Sequence, residues 1–200
     1  MSIPTQYSVT LPEWVADEVA GADLSTDEAK MTLVNRLARR NFQEKTGGPF
    51  AALVVEDGKL ISAGVNLVLA SGLSSSHAEV VALALAQTAV GSWDLGANGA
   101  KRELIVNWRP CVQCYGATMW SGVTRLVVAG DGPELEQLTK FDEGPMVDDW
   151  AAQFSSRGIE VVQDVLREEA LDVYRAYGAF VESGDVTVYN ARDSGPIEKG

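Results

Sequence analysis

The feature that most constrains this chain is the placement of its few soft metal-binding side chains. The sequence holds one histidine, His77, and two cysteines, Cys111 and Cys114, which are separated by two residues. An intracellular CxxC pair is usually a redox dithiol, a metal site or a coincidence. A redox pair would be expected early in a βαβ unit. This pair lies past the middle of the chain, which favours a metal site.

The number of available ligands indicates which kind of metal site this is. A structural zinc ion normally has four protein ligands, whereas a catalytic zinc ion has three plus a water molecule. We therefore predict a catalytic zinc ion held by His77, Cys111 and Cys114. Two alternatives stay open at this point. A structural zinc ion would need a carboxylate as fourth ligand, for which Glu79 is the nearest candidate, and a buried histidine beside two buried thiols would need no metal.

The residues that flank these three side chains indicate which reaction a zinc ion would catalyse here. Glu79 follows His77 by two residues, and Pro110 directly precedes Cys111. The combined pattern, H-x-E followed by P-C-x-x-C, is the signature of the zinc deaminases, in which the glutamate is a general acid and base and not a ligand.

The order of local patterns predicts the fold class. A capping box at residues 25–28 and apolar residues at helical spacing predict a first helix, and the Asp57-Gly58 pair predicts a hairpin turn. The further elements are strands at 50–56, 60–66, 102–107, 125–129 and 158–162, and helices at 77–89, 111–120 and 166–181. This order predicts an α/β fold, a three-layer α/β/α sandwich with a mixed five-stranded sheet. We expect an N-terminal arm at 1–24, a zinc deaminase domain at 25–183 and a C-terminal tail at 184–200.

These elements place the predicted ligands at the starts of two helices. His77 and Glu79 lie in the first turn of one predicted helix, and Cys111 and Cys114 share a face of the other. The partial positive charge at a helix N-terminus favours thiolate over thiol at both cysteines. The predicted elements therefore suit a zinc site.

Charge and hydropathy exclude several kinds of partner. The 28 acidic and 16 basic residues give a formal net charge of −12. Nucleic acids and anionic membranes bind positive surfaces, so neither is expected as a partner. We see neither a signal peptide nor an apolar stretch long enough to span a membrane, and we expect a cytoplasmic protein.

From about Glu28 to Arg192 the chain resembles the cytidine deaminase-like superfamily, and within it the bacterial guanine deaminases. The segments that carry the resemblance, besides the zinc motif, are Gly47–Ala52 (GGPFAA), Asn66, Gly116-Ala117 with Trp120, Phe141-Asp142-Glu143 and Tyr189–Arg192 (YNAR). One segment departs from the family pattern. The family commonly has a glutamate before the Pro-Cys pair, and this chain has Trp108-Arg109 there.

The resemblance implies a role for each matching residue. Glu79 and Glu143 would be the catalytic carboxylates, with Glu143 as a second proton shuttle. The substrate-binding residues would be Asn66, Phe50, Ala78, Trp120 and Tyr189. The resemblance also implies a homodimer in which the tail, with Tyr189, reaches the active site of the partner subunit.

Each secondary residue also has a purely structural interpretation. Asn66 suits a turn at the end of a strand, and Phe50 and Trp120 suit an apolar core. Glu143 lies in an acidic segment that suits a solvated surface.

The predicted function is zinc-dependent hydrolytic deamination of a small-molecule nucleobase, with guanine converted to xanthine and ammonia. The alternatives are other aminated heterocycles, namely cytosine, a cytidine- or guanosine-type nucleoside, or an aminotriazine. A deaminase that edits nucleic acids shares the motif, but it needs a basic surface for its strand, which the net charge disfavours.

Overall fold

A mixed five-stranded sheet forms the middle layer of the molecule. The computed structural model describes residues 3–184, 187–190 and 195–196. The strands are β1 (Ala51–Glu56), β2 (Lys59–Val65), β3 (Arg102–Val106), β4 (Arg125–Val128) and β5 (Glu160–Val162), in the spatial order β2-β1-β3-β4-β5. β1 pairs antiparallel with β2 and β3, and β3, β4 and β5 are parallel. The predicted α/β fold with its five-stranded mixed sheet is confirmed.

Helices cover both faces of this sheet. In the described residues they are α1 (Glu13–Val19), α2 (Asp27–Gln43), α3 (Val68–Ser71), α4 (Ala78–Val90), α5 (Val112–Trp120), α6 (Glu134–Thr139), α7 (Trp150–Ser155) and α8 (Arg167–Glu182), with a 3₁₀ turn at Ala97–Gly99. α2 and α8 pack together on one face, and α4 packs on the other face with α5 beside it.

The central strand β1 is apolar throughout because both of its faces are covered. Leu53 and Val55 pack in the cluster beneath α2 and α8, whereas Ala52 and Val54 pack in the cluster beneath α4. Successive side chains of a strand point to opposite faces, so an interior strand reads as a continuous apolar run. The run FAALVV in the sequence therefore marks the middle of the sheet.

The predicted hairpin turn is confirmed, and the cap of the first predicted helix lies one residue further along the chain. Asp57 and Gly58 both have positive φ, at 50° and 70°, as a tight hairpin turn between β1 and β2 requires. Thr26, and not the preceding serine, is the N-cap of α2, and its side chain accepts a hydrogen bond from the Ala29 amide at 3.1 Å.

Gly64 permits the close packing that brings α4 to the sheet. A Cβ atom at this position of β2 would overlap the Ala78 carbonyl oxygen at the start of α4. Ser62, two residues earlier, donates a hydrogen bond from its hydroxyl to the Ala82 carbonyl at 2.7 Å. Together they hold the N-terminal turn of α4 against β2.

The predicted N-terminal arm contains a helix, α1, that sequence patterns did not reveal. The helix has seven residues and no side-chain cap, so its local signal is weak. Its stability comes from tertiary contacts: Val15 is buried, Arg40 of α2 stacks on Trp14, and Glu18 forms ion pairs with Arg36 and Arg40.

The described part of the tail lies against its own chain. Thr187–Val188 (β6) pairs antiparallel with Gly195–Pro196 (β7), and Val188 is buried in the cluster beneath α2 and α8. Residues 191–194, which include part of the segment that resembles the family tail, lie outside the described residues. Among the helices described, none is long and apolar enough to cross a membrane.

Candidate active site

The three predicted zinc ligands meet where the starts of α4 and α5 face each other. His77 is the N-cap residue of α4, Cys111 is the N-cap residue of α5, and Cys114 lies in the first turn of α5. The His77 Nδ1 atom is 3.4 Å from the Cys111 Sγ atom and 3.5 Å from the Cys114 Sγ atom. Ligand atoms of a tetrahedral zinc ion are about 3.5 Å apart, as follows from zinc–ligand bonds of about 2.0 to 2.3 Å. The donor set therefore fits zinc.

Glu79 lies beside this triad and outside the donor set. The ligand atoms of His77, Cys111 and Cys114 lie within 4.8 Å of one another, and no carboxylate oxygen of the described residues joins that group. Glu79 is 7% exposed, in the first turn of α4. Burial, reinforced by the negative charge of Cys111, raises the pKa of Glu79. The geometry thus does not supply the fourth protein ligand that a structural zinc ion would need.

The electrostatics of the triad favour a metal-binding thiolate at Cys111, whereas burial raises the pKa of Cys114 well above its ordinary value, contrary to the expectation for both cysteines. Hydrogen bonding with Cys114, aided by hydrogen bonding to His77, lowers the pKa of Cys111 to about 4, although burial acts in the opposite direction. Both thiols are free, without a disulfide between them. A thiolate is the form of cysteine that binds zinc.

Glu143 is buried in the same cavity, and not on a solvated acidic surface. Its exposed fraction is 8%, while its neighbour Asp142 is exposed. The Glu143 carbonyl accepts a hydrogen bond from the Val112 amide at 3.1 Å, which joins its loop to the start of α5. Burial, followed by the charges of Cys111 and Glu79, raises the pKa of the Glu143 carboxyl well above its ordinary value.

Asn66 directly follows β2 and is held in place by hydrogen bonds at the border of the same cavity. It is 1% exposed, its amide donates to the Phe50 carbonyl at 3.0 Å, and its carbonyl accepts from the Asn41 side chain at 2.8 Å. A Cβ atom at Gly47 would overlap this carbonyl, so glycine is required there. Asn66 is therefore both the strand-end residue that was the structural alternative and a residue that borders the cavity.

A cavity of about 670 Å³ connects these groups. Phe50 and Phe141 form part of its apolar wall, with ring centroids 5.3 Å apart, and Tyr189 packs on Phe141 at 4.9 Å. The Tyr189 hydroxyl is buried, which raises its pKa, and hydrogen bonding with Asn66 acts against that rise. Tyr189 thus lines the cavity of its own chain.

Two predicted substrate-binding residues do not line this cavity. Trp120 is 81% exposed at the C-terminal end of α5, nine residues and therefore about 13 Å along the helix from Cys111. Ala78 is completely buried in the apolar cluster beneath α4, so its side chain faces the sheet. The single chain therefore does not bring these two side chains to the cavity, because proximity to a motif in sequence does not determine which way a side chain points.

Trp108 and Arg109, to which the sequence analysis gave no role in the site, also border the cavity. The Trp108 ring is fully buried, with its edge toward Tyr174 at 5.5 Å and Arg167 over its face at 5.1 Å. The available signal was their position directly before Pro110 and Cys111, where the chain departs from the family pattern.

The fold and the histidine–cysteine–cysteine site together define a zinc-binding deaminase architecture. The profile of the cytidine and deoxycytidylate deaminase zinc-binding region matches residues 24–130. The chain belongs to this family of deaminases.

Two solved structures and one further relative match the chain over a larger part of its length than the family profile does. Guanine deaminase from Nitrosomonas europaea has a solved structure that is 38% identical, with a TM-score of 0.82, and the match covers 90% of this chain and 100% of that one. The structure of NE0047 in complex with 2,6-diaminopurine is 39% identical, with a TM-score of 0.82 and coverage of 92% and 97%. Guanine deaminase from Bacillus subtilis strain 168 is 29% identical over 134 residues, which are 67% of this chain and 82% of that protein.

Proposed function

We propose that this protein is a zinc-dependent guanine deaminase, which hydrolyses guanine to xanthine and ammonia. The observation that carries the proposal is the pair of buried carboxylates, Glu79 and Glu143, that border one cavity with His77 and Cys111 of the histidine–cysteine–cysteine group. The similarity to two guanine deaminases along most of the chain supports guanine as the substrate.

The proposed chemistry starts from hydrolysis at a carbon that carries an amino group. A zinc ion held by His77, Cys111 and Cys114 would lower the pKa of a bound water toward about 7 and so make a nucleophile available at neutral pH. Glu79 lies two residues from His77 without being a ligand, so it accepts the proton of the attacking water and passes it to the adjacent ring nitrogen.

The second carboxylate supplies the proton that the departing amine needs. An amine departs poorly as an anion, so it needs a proton as the bond between carbon and nitrogen breaks. Glu143 keeps its proton readily because burial raises its pKa, and in this mechanism it donates that proton to the departing amine. Asn66 holds the ring by hydrogen bonds, and Phe50 provides an apolar wall.

The experiment that tests this proposal is ammonia release by the purified, zinc-loaded protein from guanine, guanosine, cytosine, cytidine, adenine and an aminotriazine. We expect guanine to have the highest kcat/KM and to yield one xanthine per ammonia. A higher kcat/KM for cytosine, a nucleoside or the aminotriazine would contradict guanine as the substrate. The Glu79→Gln variant is the matched control, because it removes the proposed base and leaves all three ligands.

We also propose that the protein is a cytoplasmic homodimer. Trp93 and Trp120 are exposed by 76% and 81%, and the hydrogen bond from the Leu95 amide to the Ser121 carbonyl holds their two segments together. Large exposed apolar side chains in one region are typical of protein interfaces. Free thiols in a metal site suit a reducing compartment such as the cytoplasm.

A further inference from the structure

Arg109 occupies the place where the sequence departs from the family pattern, and it borders the cavity together with Glu143. Its amide donates a hydrogen bond to the Gly130 carbonyl at 2.9 Å, which fixes its backbone beside the end of β4. The side chain is 10% exposed. The buried, positively charged Arg109 is therefore part of the wall of the cavity that Glu79 and Glu143 also border.

The orientation of the guanidinium is held by Asp131. The Arg109 Nε atom donates to the Asp131 Oδ1 atom at 2.6 Å. Asp131 is itself held by two further donors, the Gly132 amide and the Trp150 indole nitrogen, each at 2.7 Å. The arginine is thus preorganised by a fixed partner, which reduces the entropy cost of a new contact.

One nitrogen of the Arg109 guanidinium has no hydrogen-bond acceptor among the described residues. The Arg109 Nη1 atom is buried and has no hydrogen-bond partner among the described residues. Arginine stays charged in proteins and has donors only. A buried donor without a partner destabilises a structure, so an acceptor that enters the cavity beside Arg109 would gain a favourable contact.

We infer that Arg109 is a substrate-binding residue that contacts the oxygen at C6 of guanine and selects an oxopurine over an aminopurine at that position. This inference rests on the proposed function. In guanine one ring nitrogen separates C6 from C2, whose amino group is the proposed target of Glu143. A donor that borders the same cavity as Glu143 fits the C6 oxygen, which is an acceptor, and does not fit an amino group there.

The first test compares guanine with 2,6-diaminopurine, which carries an amino group at C6 and consequently lacks the hydrogen on N1. The Arg109→Met variant removes the donors and keeps much of the side-chain length. We expect kcat/KM for guanine to fall roughly 10- to 100-fold, mainly through KM, and that for 2,6-diaminopurine to change less than about threefold. The Arg109→Lys variant, with one charged donor, should be intermediate for guanine.

Arg167→Met is the matched control. Arg167 donates to the Asp131 carbonyl at 3.0 Å and to Glu134 at 2.9 Å, so it belongs to the same polar cluster, but it does not border the cavity. We expect this variant to keep the ratio of the two kcat/KM values. Circular dichroism and zinc content show for each variant whether the fold and the metal site are intact.

The second test needs no variant and no turnover. Hypoxanthine has the C6 oxygen and lacks the C2 amino group, and purine lacks both. We expect titration calorimetry of the wild-type protein to give at least about tenfold tighter binding of hypoxanthine than of purine. Equal affinities, or an equal loss for guanine and 2,6-diaminopurine in Arg109→Met, would overturn the role of Arg109. Absence of guanine turnover in the wild type would instead contradict the proposed function.

Discussion

At the scale of single residues, the proposed mechanism depends on two carboxylates that differ in how they are placed. Glu79 is placed by a two-residue spacing from His77 at the start of one helix. Glu143 lies in a loop, and its carbonyl accepts a hydrogen bond from the Val112 amide at the start of another helix. The first placement is local in sequence, whereas the second is a tertiary contact.

Removal of the proposed base should stop turnover without loss of the metal. We expect Glu79→Gln to have no measurable guanine deamination, because the attacking water then has no proton acceptor. Zinc content, measured by mass spectrometry, should stay near one per chain, since Glu79 is outside the donor set. Loss of zinc from this variant would show that Glu79 acts as a ligand.

Removal of the proposed acid should lower kcat and leave the fold intact. We expect Glu143→Gln to reduce kcat for guanine about 10²- to 10⁴-fold, the usual effect of a general acid. Asp142→Asn is the control, because Asp142 is the exposed neighbour and asparagine can still accept the Gly144 amide. If Glu143→Gln works at the wild-type rate, the two-carboxylate mechanism is wrong and a cytosine or nucleoside substrate becomes the better hypothesis.

Removal of a single ligand tests the predicted zinc site. We expect Cys114→Ala to lose nearly all zinc, because two protein ligands do not hold the ion as three do. Gln113→Ala, which alters an exposed residue between the two cysteines, should keep the zinc ion. Full zinc stoichiometry in Cys114→Ala would rule out the assigned ligand set.

At the scale of elements, an ion-pair cluster links the start of α2 to β3 and β4. Asp27 accepts two hydrogen bonds from Arg125, at 2.6 and 2.9 Å, and Arg125 also pairs with Glu103 at 2.7 Å. Arg125 lowers the pKa of Asp27 from its ordinary value of 3.8. Asp27 also lies in the first turn of α2, where a negative charge interacts favourably with the helix dipole.

This cluster predicts a pH-dependent contribution to stability. Because the folded-state pKa of Asp27 is below the unfolded value, its contribution is present above about pH 4 and is lost as the pH falls through the folded-state pKa. We expect Asp27→Asn to lower the Tm at pH 7 by about 2 to 4 °C, equivalent to about 1 kcal/mol.

Thermal unfolding at several pH values tests this sign. The Tm difference between Asp27→Asn and the wild type should shrink toward about pH 3. Asp17→Asn is the control, because Asp17 is exposed on α1 and forms no ion pair within the described part of the chain. A Tm difference that is independent of pH would contradict the assigned role of the charge.

At the scale of the whole molecule, the tail completes the cavity. Tyr189 packs on Phe141, and the Asn190 side chain binds the Asp142 amide and the Lys140 carbonyl, each at 2.9 Å. These contacts hold the loop that carries Glu143. They lie within one chain, so exchange of the tail between subunits stays a prediction.

Truncation after Ser183 tests the tail. We expect lower activity, because Phe141 loses its cover and the Glu143 loop loses two hydrogen bonds, and we expect a weaker dimer. Light scattering coupled to gel filtration measures the oligomeric state, and xanthine formation measures activity. A truncated chain that stays dimeric and fully active would show that the tail serves neither purpose.

The sequence by itself determined the spacing of the histidine–cysteine–cysteine group, the adjacent Glu79 and the order of the five sheet strands and the four longest helices, α2, α4, α5 and α8. These features depend on short spacings: two residues between cysteines, two from histidine to glutamate, and the periods of strand and helix. They are predictable because local backbone geometry converts such a spacing directly into a shared face.

Only the tertiary structure decided which distant side chains reach the cavity. It brought Arg109 and Trp108 to the wall, buried Glu143, left Trp120 on the surface and docked α1 onto α2. Whether a loop carboxylate is solvated or buried depends on packing against elements far away in sequence, and no local pattern contains that information. The physical reason is that burial, and with it the pKa and the chemistry of a side chain, is a property of all the layers together.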